Sequence, residues 1–245
     1  MTDQSQNPVK PKISGKQNLM GDILFLLLLL LTYTIGYFVF IGLRTLCDST
    51  YMILPFILIS SFVSLMTVAL VLPRPKPGKY KLGSKGAILW YVTLLFGRIW
   101  GNPAIRFLLF SNTFTRTIFL KACGAKISFN HNCSPYVEIH DPAMLNVGDG
   151  VIFGMHAKIL GHYIAHGHLI LADITIGDGT LIGGNVGVAP GARIGKNVMI
   201  EVSSYIFPKA ILPDNCHISR HSVITKHANL KEGERVPPYT NYDEI

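Results

Sequence analysis

The stretch IGDGTLIGGNVGVAPGARIGKNVMIEVSSYIFPKAILPDNCHISRHSVI, residues 176–224, decides the fold. An aliphatic residue returns at every sixth position: Ile176, Ile182, Val188, Ile194, Ile200, Ile206, Leu212, Ile218 and Ile224. Four residues after each of the first eight comes a small one: Thr180, Val186, Ala192, Val198, Ser204, Ala210, Cys216 and Ser222. A period of six matches neither a helix face nor an alternating strand. It marks a solenoid in which each hexapeptide forms one side of a coil. The aliphatic and the small side chain both point into a narrow interior. Gly177, Gly183 and Gly195, directly after aliphatic positions, are expected to relieve corners that need unusual dihedrals.

Working backward, Ile170 keeps the phase. Val147, Phe153 and Ile159 form an earlier set of three, and Ile127, Cys133 and Ile139 another. Two extra residues separate Ile139 from Val147. Eleven positions separate Ile159 from Ile170, so five extra residues bulge out around Gly161–Leu169. Three hexapeptides per coil give about five coils over residues 127–228, stacked about 4.8 Å apart by parallel pairing. Residues 229–245 are left as a tail.

Outward from the solenoid the character changes. Residues 23–43 and 52–72 are uncharged apolar runs, each long enough at about 1.5 Å per residue to cross a hydrocarbon layer of about 30 Å. Being apolar all round, they read as a transmembrane hairpin over residues 21–73, and not as buried core helices. No small-x-small cleavage site follows the first run, so it reads as retained. Lys10, Lys12 and Lys16 precede the hairpin; Arg74, Lys76, Lys79, Lys81 and Lys85 follow it. The intervening segment holds Arg44 and Asp48, which cancel. The positive-inside rule therefore predicts a multi-pass protein of the plasma (inner) membrane, with both termini and the solenoid in the cytoplasm.

Residues 1–20 are polar and expected to be disordered. Residues 74–126 form a Pro-Gly linker and two helical stretches, Lys85–Trp100 and Pro103–Ala122. Trp90, Tyr91 and Trp100 suit the headgroup level of a bilayer, so both stretches are expected to lie at the interface. Ordinary core helices of a small pre-domain are the alternative. The net charge of +8 is explained by the juxtamembrane cluster facing anionic lipid, and no nucleic-acid motif accompanies it. Cys47, Cys123, Cys133 and Cys216 form no CxxC pair and imply neither disulfides nor a metal site.

Chemistry is expected where regularity fails. The bulge carries His162, His166 and His168. Aligning coils in the phase above puts His162 on one corner with Asn185, Ser203 and His221. A neutral imidazole at a fixed corner takes the proton of an incoming hydroxyl or amine. Nearby backbone N–H groups, with Gly184 and Asn185 the candidates, would stabilise an oxyanion. His166 and His168 read as solvated side chains.

At these residues the chain resembles the hexapeptide-repeat acyltransferases, whose fold is a left-handed parallel β-helix. Val147–Gly148–Asp149, Gly161–His162, Ile176–Gly177–Asp178 and the run Val188–Ala189–Pro190–Gly191–Ala192–Arg193–Ile194–Gly195 carry the resemblance. It implies His162 as general base, homotrimers with sites between subunits, and acetyl-CoA or another acyl-CoA as co-substrate. The donor would lie along the flank, with Ala189, Gly191 and Ser203 as candidate contacts, and no tightly bound cofactor or metal is implied. Over residues 74–215 the chain also resembles the membrane-embedded C-terminal modules of nonribosomal peptide synthetases, which join membrane helices to such a solenoid through a Pro-Gly linker.

The leading expectation is a membrane-anchored acyltransferase acting on a sugar, a lipid-linked or an amino-acid-derived acceptor. A non-catalytic trimeric scaffold at the membrane is the competitor. A γ-class carbonic anhydrase shares the solenoid but needs a spaced histidine triplet that this sequence lacks; a local zinc site at the three crowded histidines is unsupported.

Overall fold

The computed structural model describes residues 15–47, 49–110, 112–134 and 136–242. Most of the segment expected to be a disordered tail lies outside them. Residues 15–20, however, are already helical.

Helix α1 (Gly15–Leu46) and helix α2 (Ile53–Val71) form an antiparallel pair, joined through a short 3-10 turn at Thr50–Met52. They are long and apolar enough to cross a membrane, over Met20–Leu46 and Thr50–Val71. Most of their large side chains face outward: Leu30, Tyr33 and Phe38 are more than 60% exposed. Where the helices touch, the contact is made by small and hydroxyl-bearing residues. Ser64 Oγ donates to the Thr32 carbonyl across the pair, and Gly36 lies against Ser60 and Ser64. Close backbone approach through small residues is how helices associate when apolar burial offers no driving force.

The chain then passes through Pro73, Pro75 and Pro77 into a short strand, Gly78–Lys81, and three further helices. Helix α3 (Lys85–Trp100) starts where the Ser84 hydroxyl accepts from the Ala87 N–H. The stretch expected to be one helix from Pro103 to Ala122 is two. Helix α4 (Pro103–Phe110) stops, and Asn112 caps helix α5 (Thr113–Ala122) by accepting from the Thr115 N–H at 2.9 Å. An Asn side chain satisfies an orphan N–H better outside a helix than within one, so it divides the run.

Trp90 and Trp100 do not sit at a solvent or lipid surface within the chain. Both are buried, Trp100 stacked on Phe110 at 5.8 Å and edge-on to Phe119. Arg116 on α5 is buried too. It donates to the carbonyls of Phe110 and Cys133, to Thr113 and to His131 Nε2, tying the helices to the first coil.

The solenoid has three parallel sheets, one per side of the coil, consistent with a left-handed β-helix. Ile127, Val147, Ile176, Ile194 and Leu212 stack on the first side. Cys133, Phe153, Ile182, Ile200, Ile218 and Val236 stack on the second. Ile139, Ile159, Val188, Ile206 and Ile224 stack on the third. The small residues sit in the interior as expected: Thr180, Val186, Ala192, Ala210 and Ser222 are fully buried. The coils do not end at residue 228. Leu230 and Tyr242 pack on the core, Val236 is buried, and Val223 pairs with Asn241, which makes a sixth coil of the segment expected to be a tail.

Two details of the reading change. From Val147 to Ile218 the left-handed backbone lies three residues after the aliphatic position, except after Ile159, and not one after it. It is adopted by His156, Asn185, Ser203, His221 and Tyr239 on one corner, and by Asn197 and Asn215 on another, with φ between 52° and 61°. The glycines directly after the aliphatic residues serve a steric purpose. A Cβ on Gly177 would stand 2.6 Å from the backbone of Gly195, and one on Gly183 would stand 2.6 Å from the Ile200 carbonyl oxygen. Neighbouring coils simply lie too close there for a side chain.

Candidate active site

The larger change concerns the interruption after Ile159. Ile170 is not a rung of the solenoid. Ile159 pairs with Val188 on the third side, and Ile176 with Val147 on the first, so the interruption holds eleven residues beyond the normal step. They form a β-hairpin arm with strands His162–Ala165 and His168–Leu171, turning at His166 and Gly167. The linker strand Gly78–Lys81 adds to the arm's other edge, antiparallel to His168–Leu171. Leu169 and Leu171 are buried beneath the arm against Ala87, Trp90 and Met144, while Ile170 faces away. This is the alternation of a half-buried antiparallel strand.

Counting Ile170 as a rung displaced the histidine by one side of the triangle. His162 therefore does not share a corner with Asn185, Ser203 and His221. Those three stack on the corner between second and third sides, where the Ser203 N–H donates to Gly184 and the His221 N–H to Val202. His162 leaves the corner between third and first sides. Of the candidate residues, Ala189 and Gly191 lie on that corner one coil further along, since Leu160 N–H donates to Val188 and a Cβ on Gly191 would contact Ala172 at the arm's base. Gly184, Asn185 and Ser203 belong to the neighbouring corner.

What the structure brings to His162 is Asp141. This residue lies in the two-residue excess before Val147, at the start of the 3-10 turn Pro142–Met144. The carboxylate is buried. Its Oδ2 accepts from the Gly161 N–H at 3.0 Å and lies 2.6 Å from His162 Nδ1; its Oδ1 accepts from the Trp90 indole N–H at 2.8 Å. Three parts of the sequence thus converge on one carboxylate: helix α3, the first coil and the root of the arm. Gly161 permits it, because a Cβ there would stand 2.7 Å from Met144 Cβ and 2.8 Å from Asp141 Cβ. The His162 ring leans on Trp90, centroids 4.7 Å apart, with His140 6.4 Å away on another side.

The chemical consequence is directional. A carboxylate 2.6 Å from Nδ1 holds the proton there, and leaves the Nε2 lone pair to accept one. Among the described residues nothing bonds to Nε2. The ring is about one-fifth exposed, accessible yet fixed. Other candidate nucleophiles fall away. Burial pushes the thiols of Cys123 and Cys133 up to about 12 and about 11, so neither is a thiolate at neutral pH. His166 sits in the arm's turn and His168 bonds to its carbonyl. Among the described residues, no group of three or more His, Cys, Asp or Glu is placed to hold a metal.

Sequence reasoning missed Asp141 and Trp90. A signal for Asp141 existed, since the excess before Val147 breaks the same repeat at the same corner in the preceding coil. Trp90 had none, because its aromatic character suited a lipid interface equally well.

No curated protein matches the chain. Among solved structures it is similar to a maltose O-acetyltransferase from Clostridium difficile 630, at 19% identity, covering 61% of this chain and 92% of that one, with a TM-score of 0.38. It is also similar to a hexapeptide-repeat-containing acetyltransferase from Vibrio cholerae, at 13% identity, covering 56% and 92%, with a TM-score of 0.41. Residues 173–208 match the family model described as bacterial transferase hexapeptide (six repeats), which places that family's repeat beside the root of the arm.

Proposed function

We propose that this chain is a membrane-anchored acyltransferase in which His162, oriented by Asp141, is the general base. The observation that carries the reading is the buried Asp141 carboxylate on Nδ1 of a histidine about one-fifth exposed, at the point where the coil is interrupted. The match of residues 173–208 to a transferase repeat supports the reaction class. The acyl donor is a CoA thioester, most simply acetyl-CoA. The acceptor's O–H or N–H gives its proton to Nε2 as its heteroatom bonds to the thioester carbonyl carbon. The tetrahedral intermediate then collapses, the C–S bond breaks, and the imidazolium returns the proton to the departing thiolate. Ala189 and Gly191, on the same corner as His162, are the donor-flank residues kept in this scheme. Gly184, Asn185 and Ser203 enter it only across a trimer interface.

The anchor is the α1–α2 pair, supported by its length, apolarity and small-residue contact. The basic residues from Arg74 to Lys85 favour a cytoplasmic solenoid at the inner membrane. The order of helices, Pro-Gly linker and solenoid supports the likeness to synthetase-terminal modules. A homotrimer completes the proposal.

A second reading has its own observation. The bonds from Trp90 and Gly161 to Asp141 also staple helix α3 to the solenoid, which a scaffold would need. Transfer or hydrolysis of acetyl-CoA by purified full-length protein separates the two. Activity strongly lowered in His162→Ala, with an unchanged melting temperature, is expected; a wild type and variant that behave alike would remove His162 from the reaction.

A further inference from the structure

A cleft of about 500 Å³ opens between the end of helix α3, helix α4 and the third side of the first coil. Its walls include Gly97, Arg98, Trp100, Arg106, Glu138 and His140. Three side chains with hydrogen-bond donors to spare line this space. Among the described residues Arg98 makes no ion pair, and its guanidinium lies only over the Phe25 ring, 4.9 Å from the centroid. Arg106 spends one nitrogen on the Val137 carbonyl, while its Nε is buried without a partner. Trp100 is 94% buried by its 6% exposure, and no hydrogen bond to its indole N–H is present among the described residues. That nitrogen would lie 3.9 Å from a Cβ on Gly97, the nearest atom to a helix face left bare of side chain. The one carboxylate on the walls, Glu138, is turned to His140 at 3.4 Å.

The cleft's depth identifies the kind of anion. Phe25 is five residues into the apolar run that starts at Met20, or about 7.5 Å along the helix. Arg98 is thus held near the polar–apolar boundary of a bilayer in the placement proposed above, where lipid phosphates lie. Planar guanidinium groups bind phosphate oxygens through paired N–H donors. His140 links the cleft to the site, with its ring 6.4 Å from that of His162.

We propose that this cleft binds the phosphate-bearing headgroup of a membrane lipid, through Arg98, Arg106 and the Trp100 indole. The lipid is thereby the acyl acceptor, a role that rests on the acyl-transfer reading, as the cleft's depth rests on the membrane reading. Headgroup hydroxyls or amines beyond the phosphate are presented along His140 toward the base.

The test uses the detergent-solubilised full chain titrated with dioctanoyl phosphatidylglycerol, read by tryptophan fluorescence. Dioctanoylglycerol and inorganic phosphate are the comparison ligands. Saturable binding of the phosphatidylglycerol is expected, weakened at least tenfold in Arg98→Gln and largely restored in Arg98→Lys, with both variants melting as wild type. Arg106→Gln should weaken it similarly, but Arg98 is the cleaner probe because it bonds no backbone group. Equal binding of dioctanoylglycerol, or wild-type affinity in Arg98→Gln, would overturn the site. Inorganic phosphate binding as tightly as the lipid would make the ligand a soluble anion and overturn the lipid assignment. His162→Ala should bind phosphatidylglycerol like wild type. If wild type binds it yet transfers no acetyl group from acetyl-CoA to it, the headgroup site stands and the acceptor role is overturned.

Discussion

Two corners of the same triangular coil contrast sharply. Between the second and third sides, His156, Asn185, Ser203, His221 and Tyr239 repeat one left-handed backbone conformation coil after coil. Their side chains stack as surface neighbours, His221 on Tyr239 at 5.1 Å and Tyr136 on His156 at 5.3 Å. Between the third and first sides, two successive coils carry insertions that face each other: the turn with Asp141, and the arm rooted at Gly161 and His162. The regular corner has histidines but no buried partner for them. The interrupted corner supplies a buried carboxylate, because extra chain can fold over a polar group and exclude water from it. The regular corner has no extra chain to bury a carboxylate beside its histidines.

The comparison is broken most directly by exchanging the roles of the corners. His162→Ala should lower kcat/KM by about 10²- to 10⁴-fold, the usual worth of a positioned base, whereas His221→Ala on the regular corner should leave it unchanged. Steady-state acetyl-CoA turnover measures both. Next in size is Asp141→Asn, which keeps the volume and the indole contact but no longer holds the proton on Nδ1. A loss of about 10²-fold is expected, with an altered pH–rate profile, while binding of acetyl-CoA persists.

Gly161→Ala tests the packing beneath the pair. The new Cβ meets Met144 and Asp141 at under 3 Å, so thermal melting should show a loss of about 1–3 kcal/mol. Gly167→Ala at the open arm turn should cost less, about 1 kcal/mol, from its positive φ alone.

The smallest effect concerns the seam between helices and solenoid. Burial holds the His131 imidazole below its ordinary pKa; the Ser128 carbonyl opposes that in part, and the nearby Arg116 charge adds to it. The unfolded chain binds the proton first, so stability should fall as pH drops below about 6.5. Melting curves between pH 7.5 and 5 should show that fall, and His131→Gln should flatten it.

Much of the fold was legible because the period is written in side chains that must fill an interior. Ile176 to Ile224 keeps the predicted six-residue phase, one side of the triangle away from the side first read, and the small partners are buried as read. The interruption was legible as a place but not as a shape. Ile170 is apolar and spaced correctly, and only the antiparallel partners Lys79 and Tyr163 reveal that it left the solenoid. That single residue misassigned the corner of His162. Asp141 was hidden for a different reason: its partners come from positions 90, 161 and 162, and no local spacing records a contact over such separations.

The pairing of Gly78–Lys81 with the arm has a consequence for how the molecule stands. Four consecutive residues of the linker are zipped to the second strand of the histidine hairpin, and Leu82 bonds onward to Gly167 at its tip. Only residues 72–77, three of them proline, separate the last turn of α2 from that zipper. Fully extended, six residues reach roughly 20 Å. In the proposed membrane placement the protein is no float on a loose tether. His162 works at a set altitude above the lipid, so substrates that rise to that height are within its reach and those that stay deeper are not.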